Sequence, residues 1–441
     1  MNRDLWGLGA NDQGHLVFGG HDLVELAESY GTPLHVADEA RLRAQYRAFL
    51  GAFRSAYPRV RVSYSYKTNC IPAVLKVLHE EGCGAEVVSP YELWLAARLG
   101  VGSHRIIYNG VTKSLETLEL AVETDVNVIN IDSVEESRRV LKAAKRLARK
   151  PNVGIRIDPG VGWKAQFGVE CAKNAVLEVA SALTELDLVN LCCLQVHMGT
   201  GLRKTRQYEK SIEVACSVMR DLRQDLGIGI QYLDLGGGFG VPTVKTLSLG
   251  EVALYRLFDI PPRPPDAHDC ATFGDFASAI GKCLARNCSR CNVPEPVLLL
   301  EPGRALTSSA QVLLVTVGDA KRRSNGRQYA IVDGGMQNIA FPLSYEYHAC
   351  FVASQARALP KQRYHVTGPL CSPEDMLYRN WRLPELHRGD VLAIMDAGAY
   401  FTSFANSFSH PRPPVVMVSD SQCRLVRKRE SYEYMIALDM V

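Results

Sequence analysis

Long apolar runs are missing from this chain. Apolar stretches such as Val297–Leu300 and Val312–Val315 are short, against the ~20 apolar residues that a membrane-spanning helix needs. No transmembrane segment is expected. An excess of one charge is missing too. The 50 Lys and Arg against 47 Asp and Glu leave a net +3, which gives no electrostatic footprint for nucleic acid or an anionic membrane. The opening stretch MNRDLWGLGANDQGHLVFGG has no apolar core of signal-peptide length and is broken by Asn, Asp and Gly, so a cytoplasmic protein is expected. A regular cysteine framework is also lacking. The 13 cysteines are odd in number, with Cys192 and Cys193 adjacent, and they read as reduced thiols. Cys283, Cys288 and Cys291 have loosely zinc-like spacing, but Cys270 is the only near candidate for a fourth ligand. Buried thiols are the better reading there, and no metal is expected.

The bulk composition is that of a globular protein, with 47% hydrophobic and 22% charged residues. A length of 441 residues is about three times the ~150-residue domain prior. Two domains, or a large barrel plus a second module, are expected. Strand signals recur at 61–66, 85–88, 105–108, 126–131, 153–157, 190–196, 231–235 and 297–301, eight short β-branched or aromatic runs. Between them lie segments of helical period. Ser133–Lys150 places Val140, Leu141, Ala144 and Leu147 on one stripe behind an N-capping Ser133, and Arg203–Leu226 is another. A further helix, capped by Asp38 and carrying Leu42, Tyr46, Phe49, Leu50 and Phe53, precedes the first strand. Eight alternating β/α units predict a closed (β/α)8 TIM barrel.

Beyond residue 305 the texture changes to short strands at 311–318, 328–333, 364–367, 390–396, 414–418 and 423–428, an all-β module. The expected division is an N-terminal segment at 1–34 that packs with the β-domain, a barrel at 35–304 and a C-terminal β-domain at 305–441. Phe258–Ala267, FDIPPRPPDA, reads as an exposed insertion before the seventh barrel helix.

Chemistry in such a barrel sits at the carboxyl ends of the strands. Lys67 follows the first strand, His197 ends the sixth, Gly236, Gly237 and Gly238 follow the seventh, and Glu301-Pro302-Gly303-Arg304 follows the eighth. Glycines let backbone N–H groups approach an anion. A lysine facing such a cradle can condense with a carbonyl cofactor, and a carboxylate can hold a pyridine nitrogen. Singly, each has a bland explanation in surface charge, core histidine or tight turn. All four at one rim point to a site.

The ordered series YKTN, GCGAEVVSPYEL, YNGVTKS, HMGTG, LGGGFG, EPGR, VDGGM, GPLCSPED and GAY resembles the fold-type III pyridoxal-phosphate decarboxylases. This is the diaminopimelate and ornithine/lysine decarboxylase group, with an alanine racemase-like architecture. The likeness runs from about residue 30 to 420, and GPLCSPED resembles decarboxylases of specialised metabolism such as the butirosin-pathway enzyme acting on a glutamyl group held by a carrier protein. The resemblance implies that Lys67 carries pyridoxal 5'-phosphate through a Schiff base and that His197 stacks on its ring. It implies that Gly236, Gly237, Gly238, Gly303, Arg304 and Tyr400, with help from Thr200, bind the phosphate, and that Glu301 pairs with the ring nitrogen. Cys371 would return a proton to Cα and would act in the other subunit of a homodimer. Glu301 in place of the arginine of alanine racemases favours decarboxylation over racemisation.

Arg304, Phe341, Tyr345, Ser372, Glu374 and Tyr400 are the implied substrate residues. Two depart from the diaminopimelate pattern: Phe341 stands where an arginine grips a carboxylate, and Ser372 where an acid reads the distal end. A phenyl ring cannot replace a guanidinium–carboxylate pair. The expectation is therefore a decarboxylase of a modified or conjugated amino acid from siderophore or antibiotic biosynthesis, either a free small molecule or a group tethered to a carrier protein. A diaminopimelate or lysine/ornithine decarboxylase is the alternative, and a racemase or a cofactor-binding protein without turnover is more remote.

Overall fold

Eight strands in the middle of the chain pair only with parallel neighbours and close on themselves. They are β1 (Val60–Ser65), β2 (Gly84–Val87), β3 (Ile106–Tyr108), β4 (Val128–Ile131), β5 (Asn152–Asp158), β6 (Asn190–Gln195), β7 (Tyr232–Asp234) and β8 (Val297–Leu300). Sequential neighbours pair from β1 to β8, and β8 returns to β1 with Leu298 opposite Val60. The computed structural model describes residues 2–163, 165–171, 174–339, 342–420 and 422–440. All eight expected strands are present.

A parallel sheet covered on both faces must be apolar throughout. Val128, Ile129 and Ile131, for example, are wholly buried. Helices between the strands start where the sequence supplies a cap. Ser133 Oγ accepts the Glu136 N–H at 3.2 Å and opens Val134–Leu147, and Ser89 does the same for Pro90–Arg98. The expected run to Lys150 is cut short because Ala148 turns left-handed (φ 49°) and closes the helix. Asp38 Oδ1 accepts the Arg41 N–H at 3.0 Å ahead of Glu39–Ala56, as expected of a cap.

The chain forms two compact units. One holds the barrel, residues 45–240 and 270–305; the other holds 1–44, 241–269 and 306–441. The second is β-rich. Its sheet runs, in spatial order, Met376–Leu383, Gln362–Thr367, Gln328–Val332, Gln311–Arg322, Leu34–Asp38, Val415–Ser419 and Gln422–Arg427. Val391–Ile394 adds to Gln311–Arg322 and Cys350–Val352 adds to Val391–Ile394. A closed (β/α)8 barrel and a C-terminal β-rich domain are thus both present.

Two boundaries differ from the sequence expectation. Leu34–Asp38 is a sheet strand of the second unit, antiparallel to Gln311–Leu314 and parallel to Val415–Val418. The segment 241–269 also belongs there rather than to the barrel. Its helix Leu249–Phe258 and the proline run that follows are tied down by three contacts. Asp259 pairs with Arg327 at 2.7 Å, Asn380 Nδ2 donates to the Asp259 carbonyl, and the Arg379 N–H donates to Tyr255 Oη. The insertion is therefore built into the β-unit, with Pro261, Pro262 and Pro264 forming part of a groove lined by Tyr347, Phe351 and Trp381.

The thirteen cysteines are free thiols. Among the described residues no three His, Cys, Asp or Glu side chains are grouped to hold a metal ion, and no helix is long and apolar enough to cross a membrane.

Candidate active site

Lys67 sits in the tight turn Tyr66–Thr68 directly after β1. Its Nζ lies 3.1 Å from Glu86 Oε2 and 3.3 Å from Oε1, with the lysine partly open and the glutamate wholly buried. Glu86, on β2, also accepts from Ser65 Oγ at 2.5 Å and from Asn109 Nδ2 at 3.0 Å. Asn109, next after β3, gives the same amide nitrogen to Glu301 Oε1 at 2.6 Å. Asn130 on β4 donates in turn to Asn109 Oδ1 at 2.9 Å. A continuous polar chain thus joins the rims of β8, β3, β2 and β1.

The carboxylates on this chain titrate differently. Burial raises Glu86, but the Lys67 ammonium and the Ser65 and Asn109 donors outweigh it and hold the group below the usual carboxylate range. Burial and the nearby Glu86 charge push Glu301 up to about 7. Glu92, buried on the helix after β2, is pushed up to about 7 for the same two reasons.

His197 lies two residues beyond β6, and its Nδ1 accepts the Gly237 N–H at 3.2 Å. Burial, with Lys67 and Arg156 nearby, pushes the imidazole down to about 3, so the ring is neutral and carries its hydrogen on Nε2. The Trp163 ring lies 5.9 Å from it.

The glycine loop is a matter of space. A Cβ at Gly237 would stand 2.3 Å from the Glu301 carbonyl oxygen, and one at Gly238 would stand 2.4 Å from that of Gly199 at a φ of +87°. The loop is anchored from behind by Phe239, stacked on Tyr208 at 4.8 Å and edge-on to Phe49 at 5.0 Å, while Tyr208 Oη donates to the Gly237 carbonyl at 2.8 Å. Gly303 brings the β8 turn against the β1 turn, since a Cβ there would meet Thr68 Oγ1 at 2.0 Å. Arg304, which opens a short helix, is buried. Thr200 is half-buried in the His197 loop.

Lys67, His197, Thr200, Gly236, Gly237, Gly238, Glu301, Gly303 and Arg304 therefore occupy the strand ends of the barrel unit. The other sequence-predicted residues lie in the β-unit. Cys371 is exposed. Ser372 Oγ accepts the Glu374 N–H at 3.3 Å, and Glu374 is exposed. Asp375, buried, is fully engaged by its own loops, accepting from the N–H groups of Met336 at 2.7 Å and Leu370 at 2.8 Å. It anchors these loops to one another. Tyr345 ends a short helix and its carbonyl accepts from Leu247. Tyr400 holds a left-handed backbone (φ 71°), rare for an aromatic residue. Phe341 lies outside the described residues. Sequence reasoning missed Glu86, Asn109, Asn130 and Asp234. Asn109 follows a barrel strand, Asp234 ends one, and Glu86 and Asn130 lie one residue before the ends of theirs, but only the pairing of strands shows which of them meet.

The profile of the family described as pyridoxal-dependent decarboxylase, pyridoxal binding domain, matches residues 40–308. The chain belongs to this family.

Similarity to individual pyridoxal-dependent decarboxylases extends over nearly the whole length. The chain is 33% identical to the diaminopimelate decarboxylase of Methanothermobacter thermautotrophicus, covering 96% of this chain and 95% of that one. It is 32% identical to the diaminopimelate decarboxylase of Halalkalibacterium halodurans, with 98% and 96% coverage. A crystal structure of the diaminopimelate decarboxylase of Methanocaldococcus jannaschii in co-complex with L-lysine matches with a TM-score of 0.88, at 30% identity and 98% coverage of both chains. The protein is a pyridoxal-phosphate-dependent carboxy-lyase acting on a small-molecule amino acid.

This overturns the expectation of a modified or conjugated substrate from siderophore or antibiotic biosynthesis, because the whole-length relatives are named diaminopimelate decarboxylases. That expectation leaned on Phe341 and Ser372. Two departures from a motif weigh less than likeness along the entire chain, and the Ser372 hydroxyl accepts the Glu374 N–H of its own turn.

The donor set of the rim fits pyridoxal phosphate. It offers an amine open enough to reach an aldehyde, a buried carboxyl to meet a ring N–H, a neutral imidazole face, and a glycine-lined strip beside a buried guanidinium.

Proposed function

We propose that the protein removes the α-carboxylate of a diaminopimelate- or lysine-type amino acid, with meso-diaminopimelate the first candidate. The observation that carries this reading is the polar chain from Lys67 through Glu86 and Asn109 to Glu301, set beside the glycine loop in a chain 33% identical to a diaminopimelate decarboxylase.

Lys67 is the attachment amine, and Glu86 orients its Nζ. Gly236, Gly237, Gly238, Gly303 and Arg304, with Thr200 and Tyr400, would hold the phosphate; His197 presents a flat neutral face to the ring. Glu301 would meet the ring nitrogen, and its carboxyl can accept or hold the proton there. Bound pyridoxal phosphate supplies an electron sink conjugated to the substrate's amino group. Cys371 delivers a proton to Cα once carbon dioxide has left. We place the active form as a homodimer in which Cys371 serves the partner's site, in the cytoplasm, a setting that the unpaired thiols suit.

The test is incubation of the cofactor-loaded enzyme with meso-diaminopimelate, lysine and ornithine, measuring released carbon dioxide and the amine product. Conversion of meso-diaminopimelate to lysine is expected. Carbon dioxide from lysine but none from meso-diaminopimelate would overturn the first candidate, and carbon dioxide from ornithine alone would overturn the substrate assignment. Exchange of the Cα hydrogen with deuterated water and no carbon dioxide from any of the three would overturn decarboxylation itself.

A further inference from the structure

Asp234 is the buried carboxyl of the rim to which the mechanism above gives no task. It ends β7 with its side chain wholly out of solvent. Oδ1 accepts the Gly236 N–H at 2.8 Å, while Oδ2, equally buried, receives no N–H or O–H from any described residue. The backbone then brings a second acid alongside. Asp234 is in register with Leu299, the Leu235 N–H donates to the Leu299 carbonyl, and the Glu301 N–H donates to the Gly236 carbonyl at 2.8 Å. The two carboxyl groups are thereby brought close enough to act on one another.

Two ionised carboxylates have no hydrogen to share, so a bond between them requires one of the pair to be a carboxylic acid. The surroundings decide which. Glu301 Oε1 already accepts from Asn109, a donor that suits an anion. Asp234 has only one backbone N–H and faces Glu301, Glu86 and the Cys193 thiol. If Asp234, Glu86 and Glu301 were all ionised, three buried negative charges would stand together, and the Lys67 ammonium is already paired with Glu86. Burial and the Glu301 charge move Asp234 well above the ordinary carboxyl range.

We propose that Asp234 is a carboxylic acid in the working enzyme and donates its hydrogen to Glu301, fixing that carboxylate where it meets the ring nitrogen. Asp234 is a positioning residue, and its role rests on the reading of Glu301 given above. The Asp234 hydrogen reaches Glu301 from the β7 side and the Asn109 hydrogen from the β3 side, so the Glu301 carboxylate is gripped between two donors.

The test compares pyridoxal-phosphate-loaded wild type with Asp234→Asn, Asp234→Ala and Glu301→Gln. In infrared difference spectra at neutral pH, the wild type shows a protonated-carboxyl stretch that Asp234→Asn lacks and that shifts in Glu301→Gln, because its acceptor has changed. Asp234→Asn keeps an oxygen for Gly236 and an N–H for Glu301. It is expected to hold the cofactor as wild type does by equilibrium dialysis and to keep the pH profile of the visible absorbance. Asp234→Ala is expected to weaken cofactor binding at least about tenfold, the scale of one hydrogen bond to a charged group. Absence of the carboxyl band in wild type, its persistence in Asp234→Asn, or equal damage by Asn and Ala overturns the proposal. Should Asp234→Ala fail to fold, the Asn variant and the spectra still decide. Turnover of Glu301→Gln reports separately on the part assigned to Glu301.

Discussion

Asn109 spends both hydrogens of one amide nitrogen on two acids, Glu86 at 3.0 Å and Glu301 at 2.6 Å. It is oriented for this by Asn130. A neutral group thereby separates two buried anions that would otherwise repel. Asn109→Ala is expected to weaken cofactor retention by about tenfold, the scale of one charge-assisted bond, as read by equilibrium dialysis; unchanged retention would remove Asn109 from the network. Lys67→Ala is expected to abolish the visible absorbance of the loaded protein beyond that of free cofactor, and a persisting band would show that the attachment lies elsewhere. Glu301 gives a signed prediction. Its pKa is about 7 in the fold against an ordinary 4.5, so between those values the folded chain holds a proton that the unfolded chain has released. Stability of the cofactor-free protein therefore falls as pH rises through that window. Glu92 adds the same slope, and urea midpoints across the range should show a shallower fall in Glu301→Gln. Lys67, His197 and Glu301 were legible in the sequence because each stands just beyond a strand next to a distinctive neighbour. Glu86 and Asp234 were not, because an acid in GAEV or YLD looks like any solvent-facing position of a strand. Only closure of the barrel turns both inward.

The elements around the site are held by buried polar contacts as well as by apolar packing. Lys113 and Glu136 pair at 2.9 Å with neither side chain exposed. Lys113 Nζ also donates to the carbonyls of Gly110 and Asn130, which ties the loop after β3 to β4. Glu136 in turn accepts the backbone N–H groups of Lys113 at 2.7 Å and Asp132 at 2.8 Å. Lys113→Met leaves a buried charge uncompensated and is expected to cost about 3–5 kcal/mol in urea unfolding. The double variant Lys113→Met/Glu136→Leu should recover little, because it orphans the two backbone donors; full recovery would show that the ion pair alone matters. The strands and main helices of the barrel could be read from period and caps, as Ser133 and Asp38 show. Leu249–Phe258 was harder to assign, since its place in the β-unit depends on Asp259 and Tyr255 meeting residues far along the chain.

At the scale of the molecule, alternation of strand and helix disclosed the barrel, and the Gly- and Pro-punctuated tail disclosed the β-rich unit. The return of the first segment to the β-rich unit was expected, but the strand Leu34–Asp38 and the inclusion of 241–269 were hidden, because pairing with distant strands leaves no local mark. If the active form is a homodimer with Cys371 serving the partner's site, mixing Lys67→Ala with Cys371→Ala protein should restore turnover that neither variant has alone. No recovery in mixtures shown to exchange subunits would confine Cys371 to its own chain.

The placing of Leu34–Asp38 between Gln311–Arg322 and Val415–Ser419 also orders events on the ribosome. That strand emerges before any barrel strand, while both of its neighbours emerge after the last one. At ~5–20 residues per second it waits on the order of tens of seconds with two bare edges. The barrel strands can pair during that interval, whereas the β-rich unit can be completed only after Val415–Ser419 has emerged.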